Sequence, residues 1–475
     1  SPNLQTLPTL GDYLKTHIPA RVFPPGEVGA YSNYGVALAG YIVERVSGMP
    51  MYEYIEKNIY APLGMTHATF RQPLPAELAP DMSTGYNYLD GEYKAGAFEL
   101  VAGYPAGSVS ASAEDMAKFM LAHLQNGTYG DVQILSEATA QTMHSQLIEY
   151  DPRLPGMAHG FFREIINGQV VIHHGGDTLL FHTGFYLLLD QNTGLFISTN
   201  SMGGGETREA VFKAFMDRYF PVPPAELVPP ADMASRADQY AGEYITTRSA
   251  FESYEKIFTL LGPATQVTVN EEGYILVSSA GETHQYVEIE PGLLQNREDP
   301  SEQLAFSTLN DGRTYVTTAL PFSYVKVAGG EAQMLHLLLW GFSILVFVIT
   351  LFKWVGAFVR ALIKREKQPA LAHLARLSGV VYALLLIGFL IAFLVAASDV
   401  DPVYQMPRFI LDLPSALPFA LALPPFLAGV GVVLAVFTPV VWVKRFWNLR
   451  GRFGFTLVTL CAWVLVAEFM FWNLL

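Results

Sequence analysis

The segment that decides the fold runs from Pro24 to Gly48 and reads PPGEVGAYSNYGVALAGYIVERVSG. A Pro-Pro-Gly turn leads to Tyr31-Ser32-Asn33, and apolar residues then recur at helical spacing over Tyr34–Val46. The pattern predicts a helix that begins directly after the three polar residues. Serine and asparagine are common N-cap residues, so one interpretation is that Ser32 or Asn33 only caps this helix.

Tyr31 and Asn33 also suit a catalytic site. They lie two positions apart just before the predicted helix, so both side chains can point into one cleft. A tyrosine can shuttle a proton where cationic neighbours lower its pKa. An asparagine offers both a donor and an acceptor to a substrate amide. The segment therefore has a structural and a chemical interpretation.

Three later segments follow in an informative order: MYEYIEKNIYAPLGMTHATF (Met51–Phe70), PAGSVSASAEDMAKFMLAHLQNG (Pro105–Gly127) and VIHHGGDTLLFHTGFYLLLD (Val171–Asp190). With Pro24–Gly48, they make residues 1 to about 215 similar to class C β-lactamases, D-alanyl-D-alanine carboxypeptidases and related esterases. The resemblance implies part of an α+β β-lactamase-like domain. It also implies a serine hydrolase that works by acyl transfer on a small peptide, a β-lactam or an ester.

By the same resemblance, His174-Gly175-Gly176 takes the place of the family's Lys-Thr-Gly motif on a strand edge. The resemblance implies three catalytic and three substrate-binding residues: Tyr31, Asn33 and His174, then Gly175, Gly176 and Asp177. His174 would be the polar or cationic neighbour of the tyrosine, and the backbone N–H of Asp177 an oxyanion donor. Bare glycines let a substrate backbone approach the strand closely. A lone His-Gly-Gly would otherwise be typical of a turn.

Replacing Lys-Thr by His-Gly removes a cation and a hydroxyl that would bind a substrate carboxylate. We therefore expect peptidase or esterase activity rather than efficient β-lactam turnover. His173, His174 and His182 lie within ten residues and could suggest a metal site. Because no glutamate accompanies them at helical spacing, we expect His173 and His182 to serve local structure and predict no metal and no cofactor.

The nucleophile in this family belongs to a Ser-x-x-Lys motif that precedes Tyr-x-Asn. The chain has two such tetrapeptides, Ser253–Lys256 and Ser323–Lys326, and both follow the other motifs, so we interpret them as chance matches. Residue 1 is Ser and no signal peptide is visible, so we expect the start of the protein, with the nucleophile, to be missing and this chain alone to be inactive. The alternative is a non-catalytic receptor or sensor that binds a cell-wall fragment through a hydrolase-like fold.

Charge and composition separate the last part of the chain from the rest. Residues 333–475 hold 11 Lys and Arg against 5 Asp and Glu, whereas the residues before them hold 18 against 38. An acidic soluble part argues against nucleic-acid binding. The single cysteine, Cys461, excludes an intrachain disulfide and a zinc site made of cysteines.

Four apolar stretches near the end are each long enough to cross a bilayer: Met334–Phe352, Leu377–Ala397, Ser415–Val443 and Phe453–Leu475. The loops after the first and third are rich in Lys and Arg, whereas the loop between the second and third holds three Asp and one Arg. Because basic short loops stay cytoplasmic, we expect a multi-pass plasma-membrane protein with extracytoplasmic N-terminal domains. Glu468 is the only charge within a span, and we expect it to be paired or to reach the interface. A transporter or channel would need more polar residues in these spans.

A proline-rich stretch, PVPPAELVPPAD (Pro221–Asp232), predicts a stiff linker. After it, short alternating runs such as QVTVN and QYVEIE predict a small antiparallel barrel or sandwich, which resembles the lipocalin-like domain of many such hydrolases. The predicted organisation is a β-lactamase-related domain without its N-terminal part, a linker, a small β domain and an all-α domain of four transmembrane helices, at 1–220, 221–234, 235–328 and 333–475. The sequence predicts no oligomeric state.

Overall fold

The protein divides into two compact units in a computed structural model that describes residues 7–223, 226–364, 369–411 and 413–475. The first unit comprises Ser1–Arg248, Thr265–Lys326 and Pro402–Tyr404, and the second comprises Ser249–Ala264, Val327–Asp401 and Gln405–Leu475. Some residues used in the linker and topology predictions lie outside the described residues: Pro224, Ala225, Arg365, Lys367 and Asp412.

The N-terminal part of the first unit combines helices with short hairpins and one larger sheet. Its helices are α1 (Leu10–Thr16), α2 (Asn33–Ser47), α3 (Met51–Ile55), α4 (Ala61–Leu63), α5 (Ala113–Leu124), α6 (Glu137–His144) and α7 (Gly204–Tyr219). Its strands are β1 (Ala68–Thr69), β2 (Tyr86–Leu89), β3 (Glu92–Ala95), β4 (Ser110–Ala111), β5 (Thr128–Tyr129), β6 (Val132–Gln133), β7 (Phe162–Ile166), β8 (Gln169–Asp177), β9 (His182–Leu188) and β10 (Thr193–Thr199). The last four form an antiparallel sheet in the order β10-β9-β8-β7.

Helix α2 begins where the sequence pattern places it. The side chain of Ser32 accepts a hydrogen bond from the Gly35 N–H and caps the helix, and Asn33 is its first residue. The helix ends at Ser47 and is capped by Gly48, whose positive φ of 74° favours glycine over residues with a side chain. The cap therefore fixes the point at which the segment of Tyr31 enters the helix.

The four-stranded sheet is covered by a helix on each face because its strands are apolar on both sides. Ile172 of β8 and Leu187 of β9 pack in one cluster with Met120 of α5. Val171 of β8 packs in another cluster with Met216 of α7. Successive residues of β8 point to opposite faces, so this strand is held rigidly between two helices.

The small β domain is a closed antiparallel barrel. Its strands are β11 (Gly242–Thr246), β12 (Thr265–Val269), β13 (Ile275–Ser279), β14 (Glu282–Glu290), β15 (Leu293–Asn296), β16 (Gln303–Thr308), β17 (Thr314–Thr317) and β18 (Ser323–Lys326). Each strand pairs with the next, and β11 pairs with β18 to close the barrel. Alternate residues point inward, and Val267, Ile275 and Leu294 are among the buried ones. Closure leaves no sheet edge exposed.

The second unit is helical. Its helices are α8 (Ile257–Leu261), α9 (Gln333–Lys364), α10 (Ala370–Ser398), α11 (Leu417–Leu421), α12 (Pro424–Val443) and α13 (Leu449–Phe471). Four segments are long and apolar enough to cross a membrane: Gln333–Ala357, Ala370–Ser398, Leu417–Val443 and Leu449–Phe471. The third segment is split into α11 and α12, and α12 starts with two prolines, which fit the first turn of a helix.

Glu468 is buried in the second unit, with a relative exposure of 4%. Its carboxylate accepts hydrogen bonds from the indole N–H groups of Trp340 and Trp472 at 2.9 and 3.0 Å. The Nδ1 atom of His336 lies 2.9 Å from the same oxygen. A buried carboxylate is costly unless such donors surround it, so this cluster ties α9 to α13.

Candidate active site

Tyr31 and His174 meet although 143 residues separate them in sequence. Tyr31 lies just before α2, and His174 lies near the end of β8. The Tyr31 hydroxyl is 3.4 Å from Nε2 of His174, a long hydrogen bond. The two side chains form the centre of the candidate site.

His174 acts as a hydrogen-bond acceptor toward the tyrosine. Its Nδ1 lies 2.6 Å from the carbonyl oxygen of Gly175, so Nδ1 carries the proton and Nε2 is free to accept one. The imidazole also stacks on Phe162, with ring centroids 4.6 Å apart. Burial lowers the pKa of His174, so the ring is neutral near pH 7 rather than a cation that replaces the family's lysine.

The ring of Tyr31 has aromatic and cationic neighbours. Phe162 and Phe322 pack against it, with centroid distances of 6.0 and 5.8 Å. The guanidinium carbon of Arg248 lies 5.0 Å from the ring centroid. Burial raises the pKa of Tyr31, and the positive charge of Arg248 opposes that rise. Sequence reasoning missed Arg248 and Phe322, because both come from the barrel region and neither belongs to a local motif.

The barrel also holds the backbone that leads into Tyr31. The Gly29 N–H donates to the Tyr315 hydroxyl at 3.0 Å, and the Thr247 hydroxyl donates to the Gly29 carbonyl at 2.7 Å. The Tyr31 N–H donates to the Pro321 carbonyl at 3.2 Å. These hydrogen bonds fix the loop before α2 to the barrel, so the barrel positions the tyrosine.

The end of β8 has one open edge. β7 pairs with β8 only as far as His173, whereas β9 continues to pair with it as far as Asp177. Over 174–177, the edge that faces away from β9 therefore has no strand partner among the described residues. Gly175 lies opposite Gly184, and Gly176 is exposed, so a substrate backbone can approach this edge closely.

The side chain of Asp177 is engaged away from that edge. Its Oδ1 accepts a hydrogen bond from Nη1 of Arg208 at 2.8 Å and lies 2.8 Å from Nδ1 of His182. His173 has a different carboxylate partner, with its Nε2 2.6 Å from Oε2 of Glu164. Among the described residues, no group of three or more His, Cys, Asp or Glu side chains is placed to hold a metal ion.

A cleft of about 810 Å³ lies beside the open edge. The cleft is lined by His174, Gly175, Gly176 and Asp177, together with residues 105–112. Tyr31 and Asn33 are not among its lining residues. Asn33 is exposed in the first turn of α2, and within the described ranges its side chain makes no hydrogen bond. The fold thus joins Tyr31 to His174 and places 174–177 on the cleft, but it leaves Asn33 outside.

Neither Ser-x-x-Lys tetrapeptide has the arrangement of a nucleophile and its base. Ser323 is buried within β18, where its hydroxyl accepts from Tyr315, while the ammonium of Lys326 donates to a backbone carbonyl. The hydroxyl of Ser253 donates to Glu255, and Lys256 donates to the carbonyl of Phe471. In each tetrapeptide, the hydrogen bonds given above therefore join the serine and the lysine to two different groups.

Residues 5–214 match the family model described as Beta-lactamase. Among curated proteins, this chain is 34% identical over 139 residues to a protein of Escherichia coli O157:H7 named "Putative D-alanyl-D-alanine carboxypeptidase", over 25% of this chain and 32% of that protein. A protein of the same name from Escherichia coli (strain K12) is 32% identical over 140 residues, with the same coverage. The chain spans about a third of the length of these relatives.

Three solved structures show weaker likeness. A crystal structure of SurE with D-Leu has 18% sequence identity and a TM-score of 0.44, over 67% of this chain and 72% of that one. A penicillin-binding protein from Bacillus halodurans has 25% identity and a TM-score of 0.36, over 43% and 62%. A class C β-lactamase from Rhodobacter sphaeroides has 17% identity and a TM-score of 0.36, over 44% and 65%.

Proposed function

We propose that the protein is a membrane-anchored serine hydrolase, because residues 5–214 match the family model described as Beta-lactamase. It acts by acyl transfer, and its hydrolase domain lies outside the plasma membrane. One observation carries the proposal: the hydroxyl of Tyr31 meets a neutral His174 at the start of an open strand segment that borders a cleft.

In the proposed reaction Tyr31 moves the proton. Its phenol donates to Nε2 of His174, so transfer of that proton leaves a phenolate beside an imidazolium. The phenolate oxygen takes the proton of the attacking serine hydroxyl as the serine oxygen bonds to the substrate carbonyl carbon. The same proton then passes to the leaving amine or alkoxide, and water later releases the acyl group by the reverse route.

The other proposed contacts come from the strand edge and from α2. The backbone at Gly175, Gly176 and Asp177 binds the substrate, and the Asp177 N–H stabilises the oxyanion. Asn33 orients the substrate amide, which requires its exposed side chain to turn toward a bound substrate. The attacking serine belongs to a Ser-x-x-Lys motif upstream of Ser1, since that motif precedes Tyr-x-Asn in the enzymes that the chain resembles.

The proposed substrates are peptides that end in a D-amino acid, or esters, in preference to β-lactams. The names of the two E. coli relatives support the peptide class. The absence of Lys and Thr at positions 174 and 175 argues against strong binding of a β-lactam carboxylate at this strand.

The test uses the full-length gene product with the Tyr31→Phe substitution. We expect turnover of a D-Ala-D-Ala peptide or an aryl ester to fall by about 10²-fold or more, because the phenolic proton carrier is lost. Tyr93→Phe is the matched control, since Tyr93 is 69% exposed in the β2–β3 hairpin and should have no effect. Equal rates for wild type and Tyr31→Phe would remove Tyr31 from the mechanism.

A fluorophosphonate probe tests the nucleophile separately. The full-length protein should be labelled on a serine upstream of Ser1, and no serine within residues 1–475 should be labelled. Stoichiometric labelling within 1–475 would contradict the assignment. A full-length protein that binds cell-wall peptides but neither reacts with the probe nor turns substrate over would be a receptor instead.

A further inference from the structure

A tyrosine that accepts a proton needs a nearby positive charge. His174 is neutral in the resting site near pH 7, because burial lowers its pKa, and its Nε2 becomes cationic only by taking the proton of Tyr31 itself. The side chains that contact the Tyr31 ring come from four places: His174 of β8, Phe162 of β7, Phe322 between β17 and β18, and Arg248 after β11. Within the described ranges, Arg248 is the one permanent cation in this set.

We propose that Arg248, contributed by the barrel, is a positioning residue that stabilises the phenolate of Tyr31 and so makes the barrel an integral part of the hydrolase site. The inference rests on the proposed function, in which Tyr31 carries the proton. Its guanidinium lies over the ring, 5.0 Å from the centroid, where a cation is attracted to the ring and still more strongly to its anion.

Hydrogen bonds of Thr247 and of the Arg248 backbone fix the position of Arg248. The preceding residue, Thr247, is buried and donates its hydroxyl to the Gly29 carbonyl at 2.7 Å, two residues before Tyr31. The Arg248 N–H donates to the Thr246 hydroxyl at 3.3 Å. No carboxylate among the described residues forms an ion pair with Arg248, so its charge is available to the tyrosine.

Two readouts in the full-length protein test the inference. The first is the ionisation of Tyr31, followed by NMR of ¹³C-labelled tyrosine and assigned with Tyr31→Phe. Arg248→Gln should raise the pKa of Tyr31, and Arg248→Lys should restore most of the wild-type value. The second readout is kcat as a function of pH. Arg248→Gln should lower kcat at neutral pH by about tenfold, as expected for removal of a unit charge about 5 Å away in a partly solvated site, and should move the pH profile toward higher pH.

Arg297→Gln is the matched control. Arg297 is also a barrel residue with its guanidinium over a tyrosine, 4.9 Å from the ring centroid of Tyr274. This variant should leave both the Tyr31 titration and the kcat profile unchanged.

The outcomes separate the two proposals. An unchanged Tyr31 pKa in Arg248→Gln overturns the inference, whatever happens to turnover. A shifted Tyr31 pKa with unchanged turnover supports the electrostatic coupling and overturns the catalytic role of Tyr31. A shift in pKa together with a fall in kcat that lysine restores supports both.

Discussion

The hydrogen bond from Thr247 to Gly29 can be removed with almost no change of shape by Thr247→Val. Thr247 is 3% exposed, and its hydroxyl lies 2.7 Å from the Gly29 carbonyl and 3.1 Å from the Ser323 carbonyl. Valine fills the same space but leaves a buried carbonyl without this donor, at a cost of about 1–2 kcal/mol. The loop before α2 should therefore detach from the barrel more often.

Hydrogen exchange measures that detachment directly. If the whole cost falls on local opening of the loop, amide exchange at Gly29 and Tyr31 should accelerate by roughly 5- to 30-fold. Mass spectrometry of peptides that cover residues 23–34, on the detergent-solubilised chain, resolves a change of this size. Exchange in β8 should stay the same, because that strand is held by α5 and α7 rather than by the barrel.

Thr265→Val is the control for the replacement of a threonine hydroxyl by a methyl group. The hydroxyl of Thr265 lies 3.2 Å from that of Ser279 at an exposed position of the barrel, so its loss should change stability by no more than about 0.5 kcal/mol. If Thr247→Val and Thr265→Val show the same exchange at Gly29 and Tyr31, the barrel does not hold the loop before α2 and the reasoning is wrong.

Three further predictions concern other parts of the molecule. Burial lowers the pKa of His123 to about 4, so its neutral form stabilises the fold fully above pH ~6.5 and this contribution is lost as the pH falls toward 4. Urea unfolding at pH 5 should show a loss of about 2 kcal/mol relative to pH 7.5, and His123→Gln should show a smaller loss. Glu468→Leu should destabilise the detergent-solubilised protein by about 2–3 kcal/mol more than Glu468→Gln does, because glutamine still offers one oxygen to the buried N–H donors. Equal thermal melting temperatures for the two variants would contradict this prediction. Single cysteines in loops 359–376 and 444–452 should resist an impermeant thiol reagent in intact cells, and ready labelling would reverse the proposed topology.

The fold class could be predicted from the sequence because its signals are local. The family match over residues 5–214, the closed barrel and four apolar helices confirm it. Helix α2 follows from the cap at Ser32 and from the apolar spacing after it. The choice between barrel and sandwich was not predictable, because it depends on whether β11 pairs with β18 across the whole domain. The domain boundaries and the membrane orientation remain predictions.

The candidate site was only partly predictable. The order of the sequence motifs predicts that His174 is a neighbour of Tyr31, and the structure brings these two side chains together. The charge of His174 could not be deduced, since it depends on burial and on the contact between Nδ1 and the Gly175 carbonyl. Arg248 gave no sequence signal, because only tertiary structure brings it to Tyr31. Asn33 lies exposed in the first turn of α2, and its predicted role depends on a bound substrate.

The hydrogen bonds between the barrel and Gly29 affect the order in which parts of the chain fold during synthesis. The contacts at Gly29 join residues 218 and 286 positions apart. Ribosomes make the chain from its N-terminus, so the sheet that carries His174 can form long before the partners of Gly29 exist. Contacts of such high sequence separation also close slowly. The loop that carries Tyr31 can therefore be fixed in place only after the barrel has been synthesised and has folded.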